Sequence, residues 1–146
     1  MSIDEPILIA EDDEADVFLL RRAMERAGVH VPAAFVRDGL EAVEYLRKRT
    51  EPPACGNPPE LMVLDIKLPR MDGFEVLEYL QAEPALRPRH VIILSSSEQP
   101  QDVRRAAALG VEHYLVKPTD SKELVGIVNR LADYWQQDSA MVSHRS

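Results

Sequence analysis

Residues 61–73 read LMVLDIKLPRMDG. The apolar run Leu61 to Leu64 stops at Asp65, and Leu68-Pro69 and Asp72-Gly73 supply turn residues directly afterwards. A strand that is apolar along its length and ends in a carboxylate presents that carboxylate at its end. The groups that face it have to come from elsewhere in the chain.

The chain has 146 residues, which suits one domain able to bury a core without covalent staples. Hydrophobic residues make up 45% and charged residues 29%, the balance of an ordinary globular protein. The net charge of −8 disfavours binding to a phosphate backbone, so nucleic acid is not an expected partner. A single cysteine, Cys55, permits no internal disulfide and fits a reducing cytoplasm. The N-terminus MSIDEPILIAEDD has no basic segment followed by an apolar one, and no run approaches transmembrane length, so neither a signal peptide nor a membrane partner is expected. His30, His90, His113 and His144 lie far apart, without metal-ligand spacing to each other or to Cys55.

Short apolar runs alternate with stretches of helical period. Strands are expected at 7–10, 33–36, 61–64, 90–94 and 114–116. Helices are expected at 15–27, where Gly28 is the stop, at 39–48, from Gly73 onward, at 101–109, and from Asp120 to about Gln136. The segment TEPPACGNPPE, residues 50–60, reads as a tolerated insertion, with a partner contact as the alternative. Residues 137–146 read as a frayed tail, and residues 1–136 as the domain. Five strands rich in Ile, Val and Leu, alternating with five helices, predict an α/β fold: a doubly wound parallel sheet covered on both faces.

In such a sheet ligands bind beyond the carboxyl ends of the strands. The first strand ends in Glu11-Asp12-Asp13, the third in Asp65, the fourth in Ser95-Ser96-Ser97 and the fifth in Lys117-Pro118. Carboxylates, a hydroxyl and an ammonium thus fall on one edge. Clustered carboxylates repel unless a cation lies among them, and Mg²⁺, which takes oxygen ligands and is held by one or two carboxylates with phosphate oxygens, suits them. An aspartate can also serve as a nucleophile toward phosphorus. By themselves Asp13, Glu14 and Asp16 read as solvated charges favoured at a helix start, and Asp72-Gly73 as a turn and helix start.

Glu11-Asp12, Asp65 followed by Leu68-Pro69 and Met71-Asp72-Gly73, Ser95, and Lys117-Pro118 together resemble the receiver domain of two-component response regulators, over roughly residues 5–136. The resemblance implies a flavodoxin-like (βα)5 sheet of strand order 2-1-3-4-5, an order that is a general example of the doubly wound class. It implies Asp65 as phosphoacceptor, Asp12 as direct metal ligand, Glu11 as a ligand through water, and Lys67 as a ligand through its backbone carbonyl. Lys117 would pair with a phosphoryl oxygen. Ser95 would be the switch hydroxyl and Tyr114 the aromatic that moves with it. Pro118 would match the proline that follows a peptide bond often cis in the family. Three positions depart from the family's commoner pattern: Glu11 in place of Asp, Ser95 in place of Thr, and Thr119 where an aromatic often follows Lys-Pro. None removes a required group.

EDDEADVFLLRRAME, DGLEAVEYL, the Pro-rich loop and LADYWQQ further resemble the stand-alone regulators paired with phytochrome-type histidine kinases. That implies a sensor histidine kinase, a bacteriophytochrome, as donor, and a homodimer. With no output domain expected after the last helix, the receiver would act on a downstream protein target or pass its phosphoryl group to a phosphotransfer protein. The apolar line Leu124, Val128, Leu131 and Trp135, widened by Ile127 and Tyr134, would offer a dimer face, or equally a face packed on its own sheet. The alternatives are an adaptor that keeps the fold without phosphorylation, a haloacid dehalogenase type phosphatase or phosphotransferase, and an electron carrier of flavodoxin type. The second needs an acid two residues after its nucleophile, where this chain has Lys67. The third needs a phosphate loop, which EDDEAD would repel.

Overall fold

The alternation read in the sequence is realised strand by strand in a computed structural model, which describes the backbone of residues 5–144 and the side chains of residues 5–134. The elements are β1 (Ile7–Ala10), α1 (Glu14–Arg26), β2 (Ala33–Val36), α2 (Gly39–Thr50), β3 (Leu61–Leu64) and α3 (Gly73–Ala82). After a 3₁₀ turn at Pro84–Leu86 come β4 (His90–Ser95), α4 (Pro100–Ala108), β5 (His113–Val116) and α5 (Ser121–His144). All strands pair in parallel, in the order β2-β1-β3-β4-β5. The register keeps their carboxyl ends level: Ala10 lies beside Val36 and Leu64, Leu64 beside Ile93, and Ser95 beside Val116.

The three central strands run apolar because both faces are covered. Leu8, Ala10, Met62, Leu64, Val91 and Ile93 form one core with Leu46 of α2, Leu77 of α3 and Ala106 of α4. Ile7, Ile9, Leu61, Val63, Ile92 and Leu94 form the other with Leu20 of α1 and Val128 of α5. Successive strand residues point to opposite faces, so each central strand feeds both cores. The helix ends follow local chemistry. Asp13, Asp38 and Asp72 cap α1, α2 and α3 with their carboxylates, and Asp72 and Glu75 complete a reciprocal capping box. Gly28 stops α1 at φ 73°, a conformation that costs a residue with Cβ more than it costs glycine.

Three expectations change. First, α5 runs to His144 rather than ending near Gln136, so most of the expected tail is helical. The segment QDSAMVSH contains no Gly or Pro to stop it. Second, Ile127, Val128 and Leu131 are buried in the chain's own core, and the Tyr134 ring lies tilted against His90 and His113, 5.4 Å from each. The described part of the α5 face is therefore taken up internally and lends the homodimer no support; the Trp135 side chain lies outside the described residues. Third, the one cis peptide bond among the described residues is Pro52–Pro53, so Lys117–Pro118 is trans. The Lys117 N–H donates to Ser95 O at 2.8 Å, which carries the β4–β5 ladder on to the lysine.

The Pro-rich loop is tied to the body. Arg49 is buried, and its Nε donates to Asn57 O at 2.6 Å while Gly56 N–H donates to Arg49 O at 2.8 Å.

The β3–α3 turn passes close under Asp65. A Cβ on Gly73 would lie 2.4 Å from Asp65 O and 2.8 Å from Ile66 Cα, both backbone atoms that cannot swing aside. Gly73→Ala is therefore expected to cost about 1–3 kcal/mol of stability. A shift in urea unfolding worth less than about 0.5 kcal/mol, the range of an ordinary surface change, would contradict the close approach.

Candidate functional site

Level strand ends bring four of the sequence's polar groups to one place. Glu11 follows β1 and Asp65 follows β3; both are buried, and Asp65 N–H donates to Ala10 O at 3.1 Å, tying the two strand ends together. Asp12 stands beside them, exposed. Carboxylate oxygens of Glu11, Asp12 and Asp65 lie within 4.8 Å of one another. From the end of β5, Lys117 reaches in. Its Nζ is 2.6 Å from Glu11 Oε1, 2.8 Å from Asp65 Oδ2 and 2.8 Å from Asp16 Oδ2.

The electrostatics follow from the crowding. Burial pushes the Glu11 carboxyl up to about 7, and the neighbouring Asp65 charge adds to this; the bonds from Lys117 and from the Asp13 N–H oppose it without cancelling it. For Lys117 burial works toward a lower pKa, but bonds to Asp16, Asp65 and Glu11 outweigh it and raise the ammonium above its ordinary range. Lys117 therefore stays charged. Three carboxylates, those of Glu11, Asp16 and Asp65, share this one ammonium, and the fourth, Asp12, stands beside Glu11 and Asp65.

A set of three hard oxygen donors suits a hard divalent cation. Two of the three are buried, and Glu11 resists ionising beside Asp65, so a second positive charge there would relieve a repulsion already present. The donor set fits a divalent metal on these grounds.

The remaining expected residues surround this centre. The Lys67 side chain is exposed, and its N–H points back to Asp65 Oδ1 at 3.4 Å. Ser95 is fully buried at the end of β4, and its Oγ accepts from Ser97 N–H at 3.3 Å. Tyr114 is half-buried, and its hydroxyl donates to Ser97 O at 2.8 Å, while Ser97 Oγ donates to Asp102 Oδ2 at 2.6 Å. Ser97 thus joins Tyr114, the β4–α4 loop and the first turn of α4. Asp16 is the residue that sequence reasoning missed. It lies on the first turn of α1, and its contact with Lys117 crosses 101 positions of the chain. Only the facing of α1 toward the end of β5 reveals it, and no local motif carries that signal.

A model of the response regulator receiver domain matches residues 7–129. The probable methanogenesis regulatory protein FilR2 of Methanothrix harundinacea is 36% identical over 88% of this chain and 82% of its own. The response regulator Rcp1 of Synechocystis sp. is 32% identical over 88% of this chain and 87% of its own, and a structure of its Mn(2+)-bound form superposes with a TM-score of 0.71 at 30% identity over 88% of this chain and 92% of that one. The phosphorylated cyanobacterial phytochrome response regulator RcpA superposes with a TM-score of 0.77 at 33% identity, over 91% of this chain and 94% of that one.

The raised Glu11 pKa makes a stability prediction. Between its ordinary 4.5 and about 7 the folded chain holds a proton that the unfolded chain has released. Stability from this group is present below pH 4.5 and is lost as the pH rises through 7. In chelator, Glu11→Gln should therefore gain stability relative to the native chain on going from pH 4 to pH 8, as followed by denaturant midpoints. A difference that stays constant with pH would contradict the cost assigned to the buried carboxylate.

Proposed function

The chain belongs to the response regulator receiver domain family, and from that membership we propose that it accepts a phosphoryl group on Asp65 from the phosphohistidine of a sensor kinase and changes its protein contacts in response. The observation that carries this reading is the Lys117 ammonium 2.8 Å from Asp65 Oδ2, beside the Glu11–Asp12–Asp65 cluster. A carboxylate oxygen of Asp65 attacks phosphorus. The P–O bond forms as the P–N bond breaks, and the imidazole nitrogen keeps the electron pair and takes a proton from solvent.

The residues divide the work. Asp12 and Asp65 would hold Mg²⁺ directly, with Glu11 through water and Lys67 through its carbonyl, and the ion would neutralise charge on the phosphoryl oxygens. Lys117 pairs with one phosphoryl oxygen, and the Ser95 hydroxyl donates to another. Ser95 is bonded to Ser97 N–H and Tyr114 to Ser97 O, so a movement of Ser95 is felt at Tyr114 through one loop residue. This supports Ser95 and Tyr114 as the switch pair. The chain is then a phosphoacceptor switch, not an enzyme that turns over a substrate.

The match to Rcp1 and RcpA over most of their lengths supports a receiver that occupies residues 1–136 and acts alone. RcpA is a cyanobacterial phytochrome response regulator, and the bacteriophytochrome response regulator RtBRR superposes with 36% identity, which supports a bacteriophytochrome kinase as the donor. Among the described residues no helix is long and apolar enough to cross a membrane, in keeping with a cytoplasmic place of work. The homodimer rests on resemblance alone, and the target is a protein or a phosphotransfer domain.

Intact-mass measurement after incubation with Mg²⁺ and acetyl phosphate tests the reading. The native chain should gain one phosphoryl group and Asp65→Asn none. Lys117→Ala should keep the fold and gain the group roughly a hundredfold more slowly, the usual cost of losing one charge-stabilising donor. An adduct on Asp65→Asn would remove Asp65 from its role. A native chain phosphorylated by neither acetyl phosphate nor a kinase would point to the phosphorylation-independent adaptor.

A further inference from the structure

Asp16 is bonded to the lysine of the site but takes no part in its carboxylate cluster. Its own backbone is fixed, because Asp16 N–H donates to the capping carboxylate of Asp13 at 3.0 Å. Its side chain is 38% exposed, against 17% for Lys117, so the contact lies at the rim of the site with the ammonium on the inner side. The other two partners of Lys117 are Glu11 and Asp65, both members of the cluster whose oxygens suit a divalent cation.

A divalent cation and the ammonium therefore draw on the same two carboxylates, Glu11 and Asp65, and repel each other across them. Each would gain if Lys117 kept a counter-charge that the cation does not need. We propose that Asp16 is a positioning residue for Lys117: it anchors the ammonium from outside the cluster, so that Glu11 and Asp65 can turn to the metal while the lysine stays beside Asp65. This rests on the metal reading above and adds to it a residue that acts through the lysine. The simpler role for Asp16, an acidic side chain favoured by the positive end of α1, would affect stability and would be indifferent to Lys117.

The distinction is measurable as Mg²⁺ affinity, by calorimetric titration of the native chain, Asp16→Asn, Lys117→Ala and the double variant. With Lys117 present, Asp16→Asn leaves the ammonium wholly to Glu11 and Asp65, and Mg²⁺ binding should weaken about tenfold. With Lys117→Ala, only the screened field of a rim charge is lost, and the same change should cost about twofold or less. Asp16→Glu, which keeps the carboxylate, should recover most of the native affinity. Equal losses in the two backgrounds, or no loss in either, would overturn the proposal while leaving the metal site standing. A native chain that binds no Mg²⁺ would overturn the metal reading itself, and this inference with it.

Discussion

One ammonium among four carboxylates is the constraint on which the rest of the structure depends. Lys117 can meet Glu11, Asp16 and Asp65 only if the ends of β1, β3 and β5 and the start of α1 converge, and the chain positions involved span more than a hundred residues. A parallel sheet with level strand ends accomplishes this. The crossover helices required by parallel strands then cover both faces, which is why the central strands are apolar along their whole length.

The site is expensive to hold. A buried glutamate that resists ionising, a buried aspartate and a buried serine stand together at the end of the sheet. The two cores that flank the sheet supply the stability against which that cost is set. Close backbone approach does the rest: the β3–α3 turn lies against Asp65 so tightly that Gly73 has no room for a side chain, and Gly39 is similarly pressed against Met71 O. These glycines are needed for space, not for an unusual φ. Asp65 thus sits on a strand end tied by Ala10 on one side and backed by the turn on the other, which holds its backbone in a fixed attitude.

Much of this was legible in the order of residues. Each strand could be read from a short apolar run, and Glu11, Asp12, Asp65, Ser95 and Lys117 all lie at the strand ends on one edge, because strand ends in a parallel sheet are fixed by topology. What escaped was set by packing across the chain. Asp16 looked like a solvated helix-start charge, since nothing local tells which way the first turn of α1 faces. The Lys117–Pro118 bond is trans, and nothing in the local sequence distinguishes it from a cis bond. The run of α5 to His144 escaped because a polar composition was read as fraying where no breaking residue stood. The apolar face of α5 read equally as a dimer face or as packing on its own sheet, and Ile127 and Tyr134 are used within the fold.

The most direct test is a crystal structure of the chain with Mg²⁺ and beryllium fluoride, whose BeF₃ group mimics a phosphoryl group on a carboxylate. The account predicts beryllium bonded to a carboxylate oxygen of Asp65, Lys117 Nζ donating to a fluoride, and the metal held by Asp12 and Asp65. Beryllium on another carboxylate, or an Asp65 adduct with Lys117 turned away from it, would contradict the account.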